Sequence, residues 1–197
     1  MSARPITTRR PVLADLLPGA LSRDVALVVG GAAFTGIAAQ LAFPVPASPV
    51  PVTGQTLAAL LVGASLGWQR GGAAMLLYLL AGAAGVPWFT DAGAGLTGAS
   101  AGYVVGFVLA GTLVGALAAR GGDRTPLRMA GTMALGNLAI YLVGVPWLMA
   151  LGSFDLTTGI TKGVAPFLVG DLAKIAIAAG LLPTAWAVVR KIRDERE

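Results

Sequence analysis

Six apolar stretches alternate along the chain with short polar segments or segments rich in proline and glycine. They run from Val25 to Phe43, Thr56 to Trp68, Gly71 to Val86, Ala99 to Ala119, Met129 to Leu151 and Val164 to Val189. About 20 apolar residues at 1.5 Å rise cross a hydrocarbon core roughly 30 Å thick. The first, fourth, fifth and sixth stretches are long enough. The second and third reach only about 20 and 24 Å at the same rise, so they are tilted, extended by their flanks or folded as a re-entrant hairpin. Both ends of that pair face one side, so the topology of the rest is the same either way. The pattern predicts an all-α integral membrane protein with six transmembrane helices, or four and a hairpin.

Composition narrows the class. Apolar residues make up 56% of the chain and charged residues 12%, about half the charged share of a soluble domain. A soluble globule and a disordered chain are excluded. The chain has no Cys and no His, which removes zinc fingers, thiol redox centres and every Ser-His-Asp or Cys-His catalytic system. A net charge of +5 would suggest nucleic acid only if the basic residues shared one face. They fall at segment ends instead, and no nucleic-acid partner is expected.

Those ends set the orientation. Arg4, Arg9, Arg10, Arg23, Arg70, Arg120, Arg124, Arg128, Arg190, Lys191, Arg193 and Arg196 all fall on one side of the predicted membrane, twelve of the 14 basic residues. The opposite loops hold only Lys162, and Lys174 lies inside the sixth stretch. This bias places the N- and C-termini in the cytoplasm. Arg9-Arg10 before an apolar stretch faintly resembles a twin-arginine signal, but that stretch is longer than a signal core and five more follow. The expected organisation is a cytoplasmic N-terminal arm over 1–22, partly amphipathic through Val12, Leu13, Leu16 and Leu17, a membrane domain over 23–190 and a cytoplasmic tail over 191–197 of a multi-pass protein of the cell membrane.

Glycine is abundant, 28 of 197 residues. In lipid, small residues permit the close backbone approach on which helix association depends. The fourth stretch carries Gly102, Gly106, Gly111 and Gly115 for internal packing. In the first, Ala32-x-x-x-Gly36 is the candidate face for docking another membrane protein. The predicted outer loops differ from the short basic inner ones. One holds four prolines between Phe43 and Thr53, and Gly-Val-Pro-Trp occurs twice, at 85–88 and 144–147. Trp88 and Trp147 suit an interfacial aromatic belt. Equally, these apolar loops suit packing over a pocket rather than exposure to water.

The sixth stretch contains Gly170-Asp171-Leu-Ala-Lys174. An Asp or Lys near a membrane helix centre costs roughly 2.5–3.5 kcal/mol, so the pair must be offset by about twice that. At i and i+3 the two share a helix face, about 11 Å into the span from its outer end. A structural ion pair, a proton or cation relay, and a ligand-binding pair all fit. The third has a specific chemistry: the carboxylate accepts from N–H donors and the ammonium donates to a carbonyl or pairs with an anion. Asn137 and Tyr141, at i and i+4 of the fifth stretch, Tyr103 at the start of the fourth, and Gln55 and Thr56 at the start of the second can share that pocket. Trp88 is a further wall candidate. No metal site and no catalytic group are expected.

Four sets of residues carry a resemblance that spans roughly 25–190: Pro49-Val-Pro-Val-Thr-Gly-Gln-Thr56; Arg70-Gly71 with Leu76-Leu-Tyr-Leu-Leu-Ala-Gly-Ala-Ala-Gly-Val-Pro87; Gly102-Tyr103 before Gly106-Phe107; and Gly170-Asp171-Leu-Ala-Lys174. In that order they resemble the BioY family, the membrane-embedded biotin-binding S components of energy-coupling factor (ECF) transporters. The chain departs from the family's usual Gly-Pro-Thr-Gly-Gly-Tyr with Gly98-Ala-Ser-Ala-Gly-Tyr103, after a shortened loop. The resemblance implies six helices, biotin as transported ligand near the outer surface with no cofactor, and Asp171 and Lys174 on its ureido head. It also implies a transmembrane coupling protein and two ATP-binding subunits as partners, docked through small residues of the first helix. The chain has no phosphate loop of the Gly-x-x-x-x-Gly-Lys-Ser/Thr type, so any ATP dependence belongs to a partner. An uncoupled carrier or channel for a small amide-bearing solute is the alternative. An intramembrane enzyme is disfavoured, because only Asp91 and Asp155 could supply a second carboxylate on that side.

Overall fold

A computed structural model describes residues 10–19 and 21–195. Arg4, Arg9 and Arg196, which enter the orientation argument, lie outside the described residues.

Helix α1 (Leu21–Ala39) begins earlier than the apolar edge suggests and also ends earlier. Four prolines follow within twelve residues, and proline lacks the N–H that helix continuation needs. The chain instead forms β1 (Ala42–Phe43), paired antiparallel with β2 (Val52–Thr53), and the ladder closes the proline loop.

The second and third apolar stretches form α2 (Gln55–Ala83), which doubles back at Gly67. That residue has φ 83° and ψ 175°, a region essentially reserved for glycine. The two arms lie side by side: the Tyr78 hydroxyl donates to Gln55 Oε1 at 3.3 Å. A Cβ on Gly71 would sit 2.8 Å from Gly63 Cα. Helix α3 (Ala101–Ala118) packs onto both arms at the same small residues. A Cβ on Gly63 would meet the Gly111 carbonyl oxygen at 2.6 Å, and one on Gly115 the Gly67 carbonyl carbon at 2.4 Å. Glycine permits three backbones to approach where any side chain would force them apart.

Helix α4 (Pro126–Gly152) starts at Thr125, whose side chain accepts from the Arg128 N–H, with Pro126 in the first turn, where its missing N–H costs nothing. Here the structure departs from the expected outer loop. Gly144-Val-Pro-Trp147 is helical, with Pro146 inside α4, whereas Gly85-Val-Pro-Trp88 lies beyond α2, and Gly85 has φ 109°. The remainder of that loop, expected to run from Gly144 to Gly163, holds α5 (Leu156–Gly163), capped by Asp155. The Thr158 hydroxyl and N–H hold the Asp155 carboxyl below its ordinary value. A 3-10 turn over Ala165–Phe167 leads into α6 (Leu168–Asp194).

Among the described residues, four helical runs are long and apolar enough to cross a membrane: Leu21–Ala39, Ala101–Ala118, Pro126–Gly152, and Leu156–Asp194, which takes in α5 and α6. Position 22 falls within α1, and α6 continues to Asp194.

One end of the bundle gathers residues 10–19 of the arm and the basic turns. Val12 and Ala14 are buried against the bundle, while Leu16 and Leu17 are exposed. Arg70 bridges Asp15 at 2.7 Å and Asp24 at 3.0 Å. Asp123 has no exposed surface; Trp186 Nε1 donates to it at 2.5 Å and Arg124 Nε at 3.2 Å. The opposite end holds a largely apolar cavity with a few polar anchors.

Candidate functional site

The cavity encloses about 510 Å³ of empty space, counting the part open to solvent. The proline loop, both ends of the 85–100 segment, and α2, α3, α4 and α6 contribute to its wall. Each main element brings a particular side chain. Helix α6 supplies Asp171 and Lys174 one turn apart. Helix α4 supplies Asn137 and Tyr141, also one turn apart. Helix α3 supplies Tyr103, and α2 supplies Gln55 and Thr56 from its first turn.

Asp171 is only 6% exposed. Its Oδ2 accepts from the Tyr141 hydroxyl. Its Oδ1 lies 3.9 Å from Lys174 Nζ, too far for a hydrogen bond, so that oxygen retains a vacant acceptor direction. Lys174 Nζ donates to Thr56 Oγ1 at 2.7 Å, and an ammonium has two further protons to give. The pair is therefore held in place yet incompletely satisfied. Tyr103 packs edge-on to Tyr141, ring centroids 6.4 Å apart, and donates to the Gly163 carbonyl at 2.9 Å. Gln55 donates to Thr90 Oγ1 at 2.6 Å, joining α2 to the 85–100 segment. The wall between these groups is apolar, with Val104, Phe107, Ile140 and Phe167.

Six of the seven ligand residues expected from the sequence line this one cavity: Asp171, Lys174, Asn137, Tyr141, Tyr103 and Gln55. Trp88, the seventh, stands apart from the other six. Its ring stacks 5.2 Å from Tyr78, and its indole N–H donates to the Tyr78 carbonyl at 3.0 Å. It braces α2 against α1 and stands outside the cavity wall. The expected docking pair, Ala32 and Gly36, is placed away from the surface. Ala32 has no exposed surface, and a Cβ on Gly36 would lie 3.1 Å from Trp88 Cβ. Both residues pack inside the bundle, because α1 turns its small face toward α2 and the loop and its large apolar residues, Phe34 and Ile37, outward.

Several wall residues escaped the sequence reading. Phe107 follows Tyr103 by four residues and Phe167 precedes Asp171 by four, so helical spacing from the polar anchors would have found them. Thr90 and Ser100 carry no such signal; loop folding alone brings them in. Among the described residues, no group of three or more His, Cys, Asp or Glu side chains could hold a metal ion.

Fold and site together define a class: a bundle of membrane-type helices with a largely apolar cavity at one end and a few convergent polar anchors, the usual make-up of a small-molecule site. The chain belongs to the BioY family, whose match covers residues 7–191. A probable biotin transporter BioY of Methanothermobacter thermautotrophicus is 39% identical over 134 residues, covering 60% of this chain and 83% of that one. One from Pyrococcus horikoshii is 34% identical, covering 80% and 92%. The biotin transporter BioY of Rhodobacter capsulatus is 32% identical, covering 86% and 96%. The fold is similar to the crystal structure of the S-component for biotin from an ECF-type ABC transporter, with TM-score 0.72 and 21% identity, covering 90% of this chain and 95% of that one. The protein is a membrane protein of a transporter family and not an enzyme.

Proposed function

We propose that the protein captures biotin from outside the cell, as the substrate-binding S component of an ECF-type uptake transporter. A transmembrane coupling protein and ATP-binding subunits complete the assembly and power import. In this reading the membrane domain, 23–190, crosses the plasma membrane six times, counting each arm of α2. The arm over 1–22, the tail over 191–197 and the basic turns face the cytoplasm, as the charge bias requires. The cavity opens outward. Asp171 accepts a ureido N–H of biotin, Lys174 donates to the ureido carbonyl, Tyr141 and Thr56 hold those groups in position, Gln55 lines the pocket beside them, and Tyr103 walls the ring system.

The observation that carries this reading is the Asp171–Lys174 pair: buried, ordered by Tyr141 and Thr56, yet left with hydrogen-bonding capacity directed into the cavity. Membership of the BioY family supplies the ligand.

Isothermal titration of the purified chain with biotin tests it. Asp171→Asn and Lys174→Ala each remove a charged partner, a contribution of about 1.5–3 kcal/mol, so affinity falls roughly tenfold to a hundredfold. Unchanged affinity in both would reject the site.

A further inference from the structure

Asn137 is 7% exposed, lines the cavity and makes no hydrogen bond to any described residue. Among the described residues, no buried side-chain nitrogen or oxygen that is sealed from solvent lacks a partner, so its amide atoms have access to the cavity space. Buried amides are normally paired, because an unsatisfied one costs about 1–3 kcal/mol. Asp171, Lys174, Tyr141, Tyr103, Gln55 and Thr56 each already have a protein partner. Asn137 also lies one turn below Tyr141, counting from the outer end of α4, with Phe107 and Ile140 beside it in the wall. It is the deep polar point of an otherwise apolar floor.

We infer that Asn137 is the residue that reads the ureide edge of the ligand, pairing its amide with one ureido N–H and the carbonyl at once. This deepens the biotin reading above and rests on it. A cyclic urea offers two N–H donors and a carbonyl with two lone pairs. Asp171 Oδ1 takes one N–H, and Asn137 Oδ1 takes the other. Lys174 Nζ and Asn137 Nδ2 donate to the two lone pairs of the carbonyl. Every polar group of the ureide is then satisfied, and so is the one unpaired amide of the cavity. The arrangement also fixes polarity of entry: the ureide goes in first, and the acyl tail points to the outer mouth near Ser100.

The test uses the full chain in detergent, titrated with biotin and with desthiobiotin, which keeps the ureide and lacks the sulfur. Asn137→Leu keeps the volume and removes both hydrogen bonds; Asn137→Asp keeps the shape and an acceptor and removes the donor. Affinity for both ligands falls by roughly tenfold or more in each variant. The melting temperature of the ligand-free protein stays the same or rises in Asn137→Leu, since no internal bond is lost. Affinities within twofold of wild type, or a fall in ligand-free melting temperature that accompanies the loss of binding, overturn the inference. Asp171→Asn separates the two levels. If it loses binding while both Asn137 variants retain it, the site stands and the role of Asn137 falls. If the wild type binds no biotin, the underlying reading falls and this one with it.

Discussion

Asp123 shows what a single side chain can fix. A carboxylate without exposed surface is tolerable only when its oxygens are bonded, and Trp186 and Arg124 do this from α6 and from the residue next to it. The Arg124 guanidinium also lies 3.4 Å above the Trp186 ring, a stacked geometry that adds cation–π attraction. Trp186→Phe removes the indole donor and leaves the ring. A lost hydrogen bond to a charged group contributes about 1.5–3 kcal/mol, and the variant is expected to melt earlier by that amount in thermal unfolding in detergent. A melting curve that superimposes on wild type would show that Arg124 alone satisfies the carboxylate. The sequence gives no sign of this bond, because positions 123 and 186 are joined only by folding.

At the scale of elements, the hairpin within α2 depends on one backbone conformation. No Cβ is comfortable at φ 83° and ψ 175°, and the strain of such a conformation in another residue is about 1–3 kcal/mol. Gly67→Ala therefore lowers unfolding stability by that order, read as a drop in denaturation midpoint. An unchanged midpoint would mean that the turn can relax. The Gly-Val-Pro-Trp repeat makes the converse point. The same four residues are helical in α4 and irregular after α2. In α4 the Trp147 indole donates to the Gly98 carbonyl at 3.2 Å, and Trp147 Cβ occupies the space over Gly102. Local propensity is identical at the two sites, so the partner decides.

Across the whole molecule the chemistry is divided between two ends. The arm, Arg70 and the Asp123 cluster sit at one, and the cavity at the other. Sites that share no partner act additively to within about 0.3–0.5 kcal/mol. Arg70→Gln breaks the bridges to Asp15 and Asp24, yet it is expected to leave biotin affinity of the isolated chain within about twofold, while loosening the arm to limited proteolysis. A large loss of affinity would reveal coupling between the ends.

Hydrophobic length and composition were enough to determine a mostly helical membrane bundle, and the cost of Asp171 and Lys174 in lipid singled out two residues that the fold brings into one cavity. These are properties of residues taken singly or within one turn of helix, so the linear order contains them. The sequence could not determine which face of a helix meets which neighbour. Ala32 and Gly36 turned inward beneath Trp88, Trp88 went to Tyr78 instead of the cavity, and α5 formed where a loop was expected. Those outcomes depend on contacts between segments dozens of residues apart, where the shape of the packed whole outweighs any local preference.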